Sequence, residues 1–210
     1  MTNLISVEEC ELIGALIGDG HIYKKNHKYL IGFTGNQITD KEYFTQLKNL
    51  ISIAWKKEIK IKFREHAVRI QFGSKEIVAR LTDFFGLPFN KGKCYVVEIP
   101  VLLKNNWLLS KHVIRGIVDT DGSIFTANKP GCLNYPSIEI TTTSNKLALQ
   151  IKEILLAQGF RVAKIWSCKS KLSNHLAYKI PLNGKVNLKK WVDEIGFSNP
   201  YKLNRALNAL

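Results

Sequence analysis

The sequence predicts an α+β fold built as a pseudo-twofold pair of halves, each reading α-β-β-α-β-β-α with antiparallel hairpins. Three observations carry this. The run Leu12-Ile13-Gly14-Ala15-Leu16-Ile17-Gly18-Asp19-Gly20 returns as Ile114-Arg115-Gly116-Ile117-Val118-Asp119-Thr120-Asp121-Gly122, and both copies close on Asp-Gly. Asp19 and Asp121 lie 102 residues apart in a chain of 210, so the period is about half the chain. The match extends past the motif. Residues 66–72 parallel 175–182, with Arg69 opposite Lys179, and 81–87 parallel 191–197.

The elements follow in order. A helix over about 7–18 opens on Ser6-Val7-Glu8-Glu9, which reads as a capping box. Strands are expected near 21–25 and 29–34, then a helix near 40–53 and strands near 58–64 and 67–73. Ser74 caps a helix that runs to about 85, where Gly86-Leu87-Pro88 stops it. Residues 1–100 form the first half, 101–109 a linker and 110–210 the second half. Ser110 is the expected N-cap of the second motif helix. Strands near 122–127 and 136–142 follow, then a helix from Ser144 to about 157. Strands near 161–168 and 175–182, a helix near 185–195 and a last helix opening at Asn199-Pro200 complete the repeat.

Composition narrows the partners. Lys and Arg total 31 against 17 Asp and Glu, a formal charge of +14. That balance points to a polyanion. No apolar run reaches the ~20 residues of a membrane span, so a membrane is not expected. No secretion signal opens the chain, which places the protein inside the cell, cytoplasmic or organellar. Cys10, Cys94, Cys132 and Cys168 are dispersed without a C-x-x-C pair, and they read as buried, reduced thiols. The five histidines are scattered too and offer no zinc pattern.

The motif helices carry the chemistry. Gly14 and Gly18 share one helix face, and Gly116 and Thr120 take the same places in the second copy. Small residues at that spacing let two helix backbones approach below the usual ~8–10 Å. A central helix pair follows, with Asp19 and Asp121 emerging together at its C-terminal ends. The helix dipole is negative there and like charges repel, so the pair calls for compensation. A divalent cation supplies it, with the Gly18 and Thr120 carbonyls as further oxygen ligands, and such a set suits Mg²⁺. Asp119 matches Ile17 in the other copy and reads as structural or auxiliary.

The strands carry the charge. Ile59-Lys60-Ile61-Lys62-Phe63-Arg64 alternates with period two. Ile59, Ile61 and Phe63 are expected to face the helices, and Lys60, Lys62 and Arg64 the other side. In the next strand Arg69 and Gln71 join that basic face. Lys164, Trp166 and Lys179 are the equivalents in the second half. After the motifs, Tyr23 and Lys25 are in phase with Phe125 and Ala127. Arg, Lys and Gln suit base edges and phosphates in a major groove. The two faces differ, so an asymmetric target is expected.

The paired motifs resemble those of the LAGLIDADG homing endonucleases, in the single-chain form with two motifs, over essentially the whole chain. The resemblance implies that the last acid of each motif, Asp19 and Asp121, binds catalytic Mg²⁺ or Mn²⁺. It implies that each half lays a curved antiparallel sheet into the major groove of double-stranded DNA. A basic residue usually follows the closing helix and Gly of each half, and Lys93 and Lys202 fit. The polar residue often found near the end of the second strand has candidates in Asn36, Gln37 and Thr142, without a fixed register. The implied function is a monomeric, intron-encoded enzyme making double-strand breaks with short 3′ overhangs at a long site. The alternative is a binding module on the same scaffold, either an RNA-binding maturase of its host intron or a DNA-binding regulator. No splicing block flanks the motifs, so an intein is not expected.

Overall fold

The computed structural model describes residues 4–90, 92–169 and 175–210. The first elements in chain order are α1 (Val7–Ile17), β1 (Gly20–Lys25), β2 (Lys28–Asn36), α2 (Lys41–Trp55), β3 (Ile61–Arg64), β4 (Ala67–Gly73) and α3 (Lys75–Ala79). The last of these runs on as a π-helical turn over Arg80–Phe84. Next come α4 (Lys93–Val96), α5 (Val101–Lys104) and α6 (Trp107–Asp121). Then β5 (Gly122–Lys129), β6 (Cys132–Thr142), α7 (Asn145–Ala157), β7 (Trp166–Lys169), β8 (Leu176–Asn183), α8 (Lys185–Glu194) and α9 (Pro200–Asn208) complete the described chain. Among the described residues no helix is long and apolar enough to cross a membrane.

The strands form two four-stranded antiparallel sheets of identical order, β1-β2-β4-β3 and β5-β6-β8-β7. Period-two alternation sorts each sheet into two faces. Ile22, Ile31, Phe33, Val68 and Ile70 are buried on the inner face of the first sheet. Tyr43, Phe44, Leu47 and Ile51 of α2 belong to the same buried cluster. The second sheet repeats this with Ile124, Ile138, Ile140, Ile180 and Leu182, joined by Leu147, Ile151 and Leu155 of α7 and Trp191 of α8.

Helices α1 and α6 pack side by side at the centre, and glycine makes this possible. A Cβ on Gly14 would collide with the Val113 carbonyl oxygen and come within 3.0 Å of the Gly116 Cα. A Cβ on Gly116 would collide with the Glu11 carbonyl oxygen and come within 2.7 Å of the Ala15 nitrogen. Main chain therefore lies against main chain. One ion pair crosses the seam, from Arg115 Nη1 to Glu11 Oε2 at 3.2 Å.

Several expectations need correction. Ser6 caps α1 by accepting from the Glu9 N–H at 3.2 Å, but Glu9 does not complete a capping box. Its carboxylate is buried, held by Arg80 at 2.7 and 2.8 Å and by the Trp55 indole at 3.2 Å. A buried carboxylate takes the partners that repay its dehydration, and a guanidinium fork outcompetes a local N–H. Helix α6 starts at Trp107 with Asn106 as its N-cap, accepting from the Leu108 N–H at 3.0 Å; Ser110 is buried inside its first turn. The stretch 101–109 thus holds α5 and the start of α6. Phe63 shares the inner face with its register partner Val68 but is not covered there: it is 49% exposed, with the Lys41 ammonium of α2 6.0 Å from its ring centroid. Lys60 and Lys164 lie just outside β3 and β7. Of the four free thiols only Cys10 is buried; Cys94 and Cys132 are exposed and Cys168 is intermediate.

Candidate active site and groove faces

The site forms where α1 and α6 end. Gly18, at the end of α1, lies against Thr120 and Asp121: a Cβ on Gly18 would collide with Thr120 Oγ1 and lie 3.2 Å from Asp121 Oδ2. The Thr120 hydroxyl is already committed, donating to the Gly116 and Ile117 carbonyls at 3.0 and 2.9 Å. Asp19 keeps an open path to solvent and Asp121 is half-buried. Lost hydration and the neighbouring Asp19 charge push the Asp121 carboxyl up to about 7, although Lys93 and Lys202 pull the other way. Crowding also raises Asp19, helped by Asp40 and opposed by Lys202 and Lys93.

The lysines do more than stand nearby. Lys93 Nζ donates to the carbonyls of Leu16, of Gly20 at 2.7 Å, of Ile17 at 3.2 Å and of Gly18 at 3.3 Å. Lys202 Nζ donates to the carbonyls of Val118 at 2.7 Å and Thr120 at 3.0 Å. Each ammonium caps the negative end of one motif helix, where unpaired carbonyls gather. The compensation that the helix ends require thus comes in this structure from the chain's own cations. The Gly18 and Thr120 carbonyls, expected as metal ligands, each accept one of these bonds and keep a second lone pair. Burial lowers the Lys93 ammonium to about 8, against the pull of Asp121 and Asp19, and it lowers Lys202 as well.

Lys93→Met is expected to raise the Asp121 carboxyl above about 7, because it removes a cation that now lowers it. It should also cost several capping bonds and lower the melting temperature by a few degrees, on the scale of roughly 2–4 °C per kcal/mol for a chain of this size. Carboxyl-carbon NMR titration checks the first effect and a thermal melt the second.

Asp119 and Asp40 complete the surroundings on one side only. Asp119 is buried; Oδ2 accepts from the Ser198 N–H at 2.8 Å, and Oδ1 has no hydrogen-bond partner among the described residues. Its burial pushes the carboxyl up to about 7. Asn199 Nδ2 reaches the Asp119 carbonyl at 3.3 Å and Asp40 Oδ1 at 3.2 Å, tying α9 to the N-terminus of α2. Sequence reasoning missed Asp40. Its one signal is an acid at the N-cap of α2 where the other half has Ser144. Among the described residues no three His, Cys, Asp or Glu side chains converge as a ready metal cage.

The candidate polar residues behave as turn formers. Asn36 Oδ1 accepts from the Ile38 and Thr39 N–H groups at 2.8 and 3.3 Å, and Thr142 Oγ1 from Ser144 N–H at 3.2 Å. Gln37 donates its backbone N–H to the His66 carbonyl at 3.4 Å.

The comparisons with known proteins agree with this architecture. I-DmoI in complex with DNA and Mn superposes with a TM-score of 0.63 at 17% identity, covering 90% of this chain and 96% of that one. The homing endonuclease I-WcaI bound to its DNA recognition sequence gives 0.62 at 15%, covering 97% and 88%. Residues 110–196 match the family model described as a LAGLIDADG-like domain. Residues 110–196 are thus a LAGLIDADG-like domain, and the chain shares the fold of both solved homing endonucleases.

Its curated relatives are much longer proteins. The chain is 31% identical over 206 residues to the replication factor C small subunit of Methanocaldococcus jannaschii, covering 97% of this chain and 10% of that protein. The replication factor C small subunit of Thermococcus kodakarensis gives 26% over 200 residues, covering 94% and 20%. The chain therefore spans a tenth to a fifth of the length of these relatives.

The outer faces of the two sheets are unlike. On the first, register places Lys62, Arg69 and Thr34 in one row and His21, Gly32 and Gln71 in the next. Tyr23, Lys25 and Arg64 share that face and are exposed. On the second, Trp166, Lys179 and Thr141 form the row equivalent to Lys62, Arg69 and Thr34. Phe125 and Trp166 are exposed, but Lys179 is drawn into an ion pair with Glu139 at 2.6 Å and lies over the Trp166 ring at 4.8 Å. The structure thus gathers Tyr23, Lys25, Lys62, Arg64, Arg69 and Gln71 on one face, and Phe125, Trp166 and Lys179 on the other. Lys60 and Lys164 border them.

Proposed function

We propose that this chain is a site-specific DNA endonuclease that makes double-strand breaks by phosphodiester hydrolysis, with Mg²⁺ or Mn²⁺ held by Asp19 and Asp121. The observation that carries the reading is the meeting of these two carboxylates at adjoining helix ends, flanked by Lys93 and Lys202. The fold relatives point the same way: one was solved with DNA and Mn, another on its DNA recognition sequence.

The donor set fits a divalent cation. Two like-charged carboxylates, each raised by its surroundings, are relieved by a hard positive ion, and oxygen ligands suit Mg²⁺. The Gly18 and Thr120 carbonyls, each with a lone pair beyond its lysine bond, are further oxygen ligands. A bound cation activates water and stabilises the leaving oxygen. The chain's own groups do the rest. Lys93 and Lys202 present positive charge where charge builds on the phosphate. The helix pair fixes the two acids relative to each other. Tyr23, Lys25, Lys60, Lys62, Arg64, Arg69 and Gln71 line one recognition surface, and Phe125, Lys164, Trp166 and Lys179 line the other. Because these surfaces differ, the target is a long asymmetric duplex site read by a monomer. We divide that monomer into halves 1–100 and 110–210, joined by 101–109, and place it inside the cell. Its gene setting is a mobile one, either an intron, as the sequence favours, or a stretch of a longer polypeptide like those of the curated relatives.

The test is incubation with a randomised duplex library and Mg²⁺. Cleavage at a defined subset of sequences, lost on adding EDTA, is the expected result. Binding should weaken steeply with salt, the logarithm of affinity falling by about 0.9 per neutralised phosphate for each unit of log salt. A chain that binds DNA yet cuts nothing in the library, or that instead promotes splicing of its host intron RNA, would overturn the reading.

A further inference from the structure

The eight strands hold one acidic residue, Glu139, in the middle of β6. Its neighbours Ile138 and Ile140 are buried in the core, so Glu139 belongs to the opposite, recognition face. Register places it between Ser123 on β5 and Pro181 on β8. Ser123 follows Asp121 by two residues, so this row lies beside the cleavage centre. The equivalent row of the first sheet is His21, Gly32 and Gln71, which puts a glycine where the second sheet has a carboxylate. The Glu139 side chain is only 13% exposed, lies 2.6 Å from Lys179 Nζ and shares that ammonium with the Trp166 ring.

A carboxylate on a surface that faces a polyanion is repelled by phosphates and by the acceptor-rich edge of guanine. In the major groove it finds a partner in an exocyclic amino group, and Glu accepting from cytosine N4 is the natural pairing. The guanine across the same base pair offers O6 and N7, which suit a lysine. Glu139 and Lys179, held side by side, present one acceptor and one donor in the arrangement a C·G pair requires.

We propose that Glu139 is a specificity-determining residue that selects, with Lys179, a C·G base pair next to the cleavage centre on the second half's side of the target. The carboxylate works as much by rejecting wrong bases as by holding the right one. This inference rests on the DNA-binding part of the function proposed above, and not on cleavage.

The experiment is selection from a randomised duplex library scored by bound fraction, so that it requires no cutting. Wild type should favour C·G at one position close to the centre. Glu139→Gln should relax that preference by about tenfold, with a shift toward A·T, since Gln reads adenine. All other positions should keep their profile. Lys179→Met should weaken binding to every sequence and reduce the C·G preference without abolishing it, since Glu139 still accepts from cytosine N4. Should Glu139→Gln melt early, the double variant Glu139→Gln with Lys179→Met removes both charges together and must lose the same single preference. If Glu139→Gln tightens binding to all sequences alike and leaves the profile unchanged, the carboxylate only neutralises Lys179 and the proposal is wrong. Selective binding without cleavage would defeat the endonuclease reading alone, and unselective binding by wild type would defeat this one.

Discussion

Asp121→Asn is expected to bind DNA as the parent does, to cut neither strand, and to melt at a higher temperature than the parent. The loss of cleavage follows from removing one of two groups proposed to hold the cation, and it should reach at least roughly 10²–10³-fold, the scale of one preorganised electrostatic group. The gain in stability follows from relieving a dehydrated charge that Asp19 also repels. Dehydration and Asp19 raise the Asp121 carboxyl to about 7 in the folded chain, above the value of an unfolded aspartate. Between about pH 4 and pH 7 the folded state therefore binds more protons than the unfolded state, and stability falls as pH rises through that window. The amide has no such slope. Its advantage should be absent below pH 4, grow up to about pH 7 and stay constant above. Thermal melts of both proteins across pH, without divalent cation, measure it. Asp19→Asn should be equally inactive. Parent-like cleavage by either variant would remove these acids from the mechanism, and equal melting curves at every pH would remove that charge penalty.

Gly116→Ala should destabilise the protein by roughly 3 kcal/mol or more, the upper range for overpacking a tight interior. Helix propensity alone argues the opposite, because alanine is favoured over glycine by about 1 kcal/mol inside a helix. The added methyl group would run into the Glu11 carbonyl oxygen and approach the Ala15 nitrogen, and main chain cannot swing aside as a side chain can. Gly14→Ala meets the Val113 carbonyl in the same way. Where either variant folds, its helices must stand farther apart, and Asp19 moves from Asp121. Cleavage should then fall further than stability predicts, since about 1 Å of misplacement can cost ~10²-fold. Denaturant melts and cleavage rates at a temperature where the variant is folded separate the two losses. A rise in melting temperature would mean that the seam has slack.

Much of this molecule was legible because it is written twice. The doubled motif gave the helix pair, the matched strands gave two sheets, and Lys93 and Lys202 fell at equivalent places after each half. What escaped had no twin. Asp40, Asp119 and Asn199 join across the seam on one side of the dyad, where the first half offers Ile17 instead of an acid. Periodicity also cannot say which partner a buried charge takes. Glu9 read as half of a capping box, yet Arg80 holds it from 71 positions away. The lysines were legible, through the family resemblance, as positive charge near the paired acids. Their grip on the helix-end carbonyls was not, because the sequence does not show how far Lys93 folds back over α1. Phe63 misled for a related reason. A four-residue edge strand that ends at Arg64 has nothing above it to cover every inward position.

The seam between α1 and α6 has a consequence for descent. At Gly14 and Gly116 it sets glycine against a peptide oxygen, and every residue type carries that oxygen. Join two halves this way after a duplication, and almost any later substitution in either recognition surface leaves the joint intact. Among the described residues Glu11 and Arg115 are a pair of charged side chains that binds across it. The ancestral symmetry can therefore persist in the backbone while the two surfaces drift apart, one becoming strongly cationic and the other acquiring aromatic rings and a lone carboxylate.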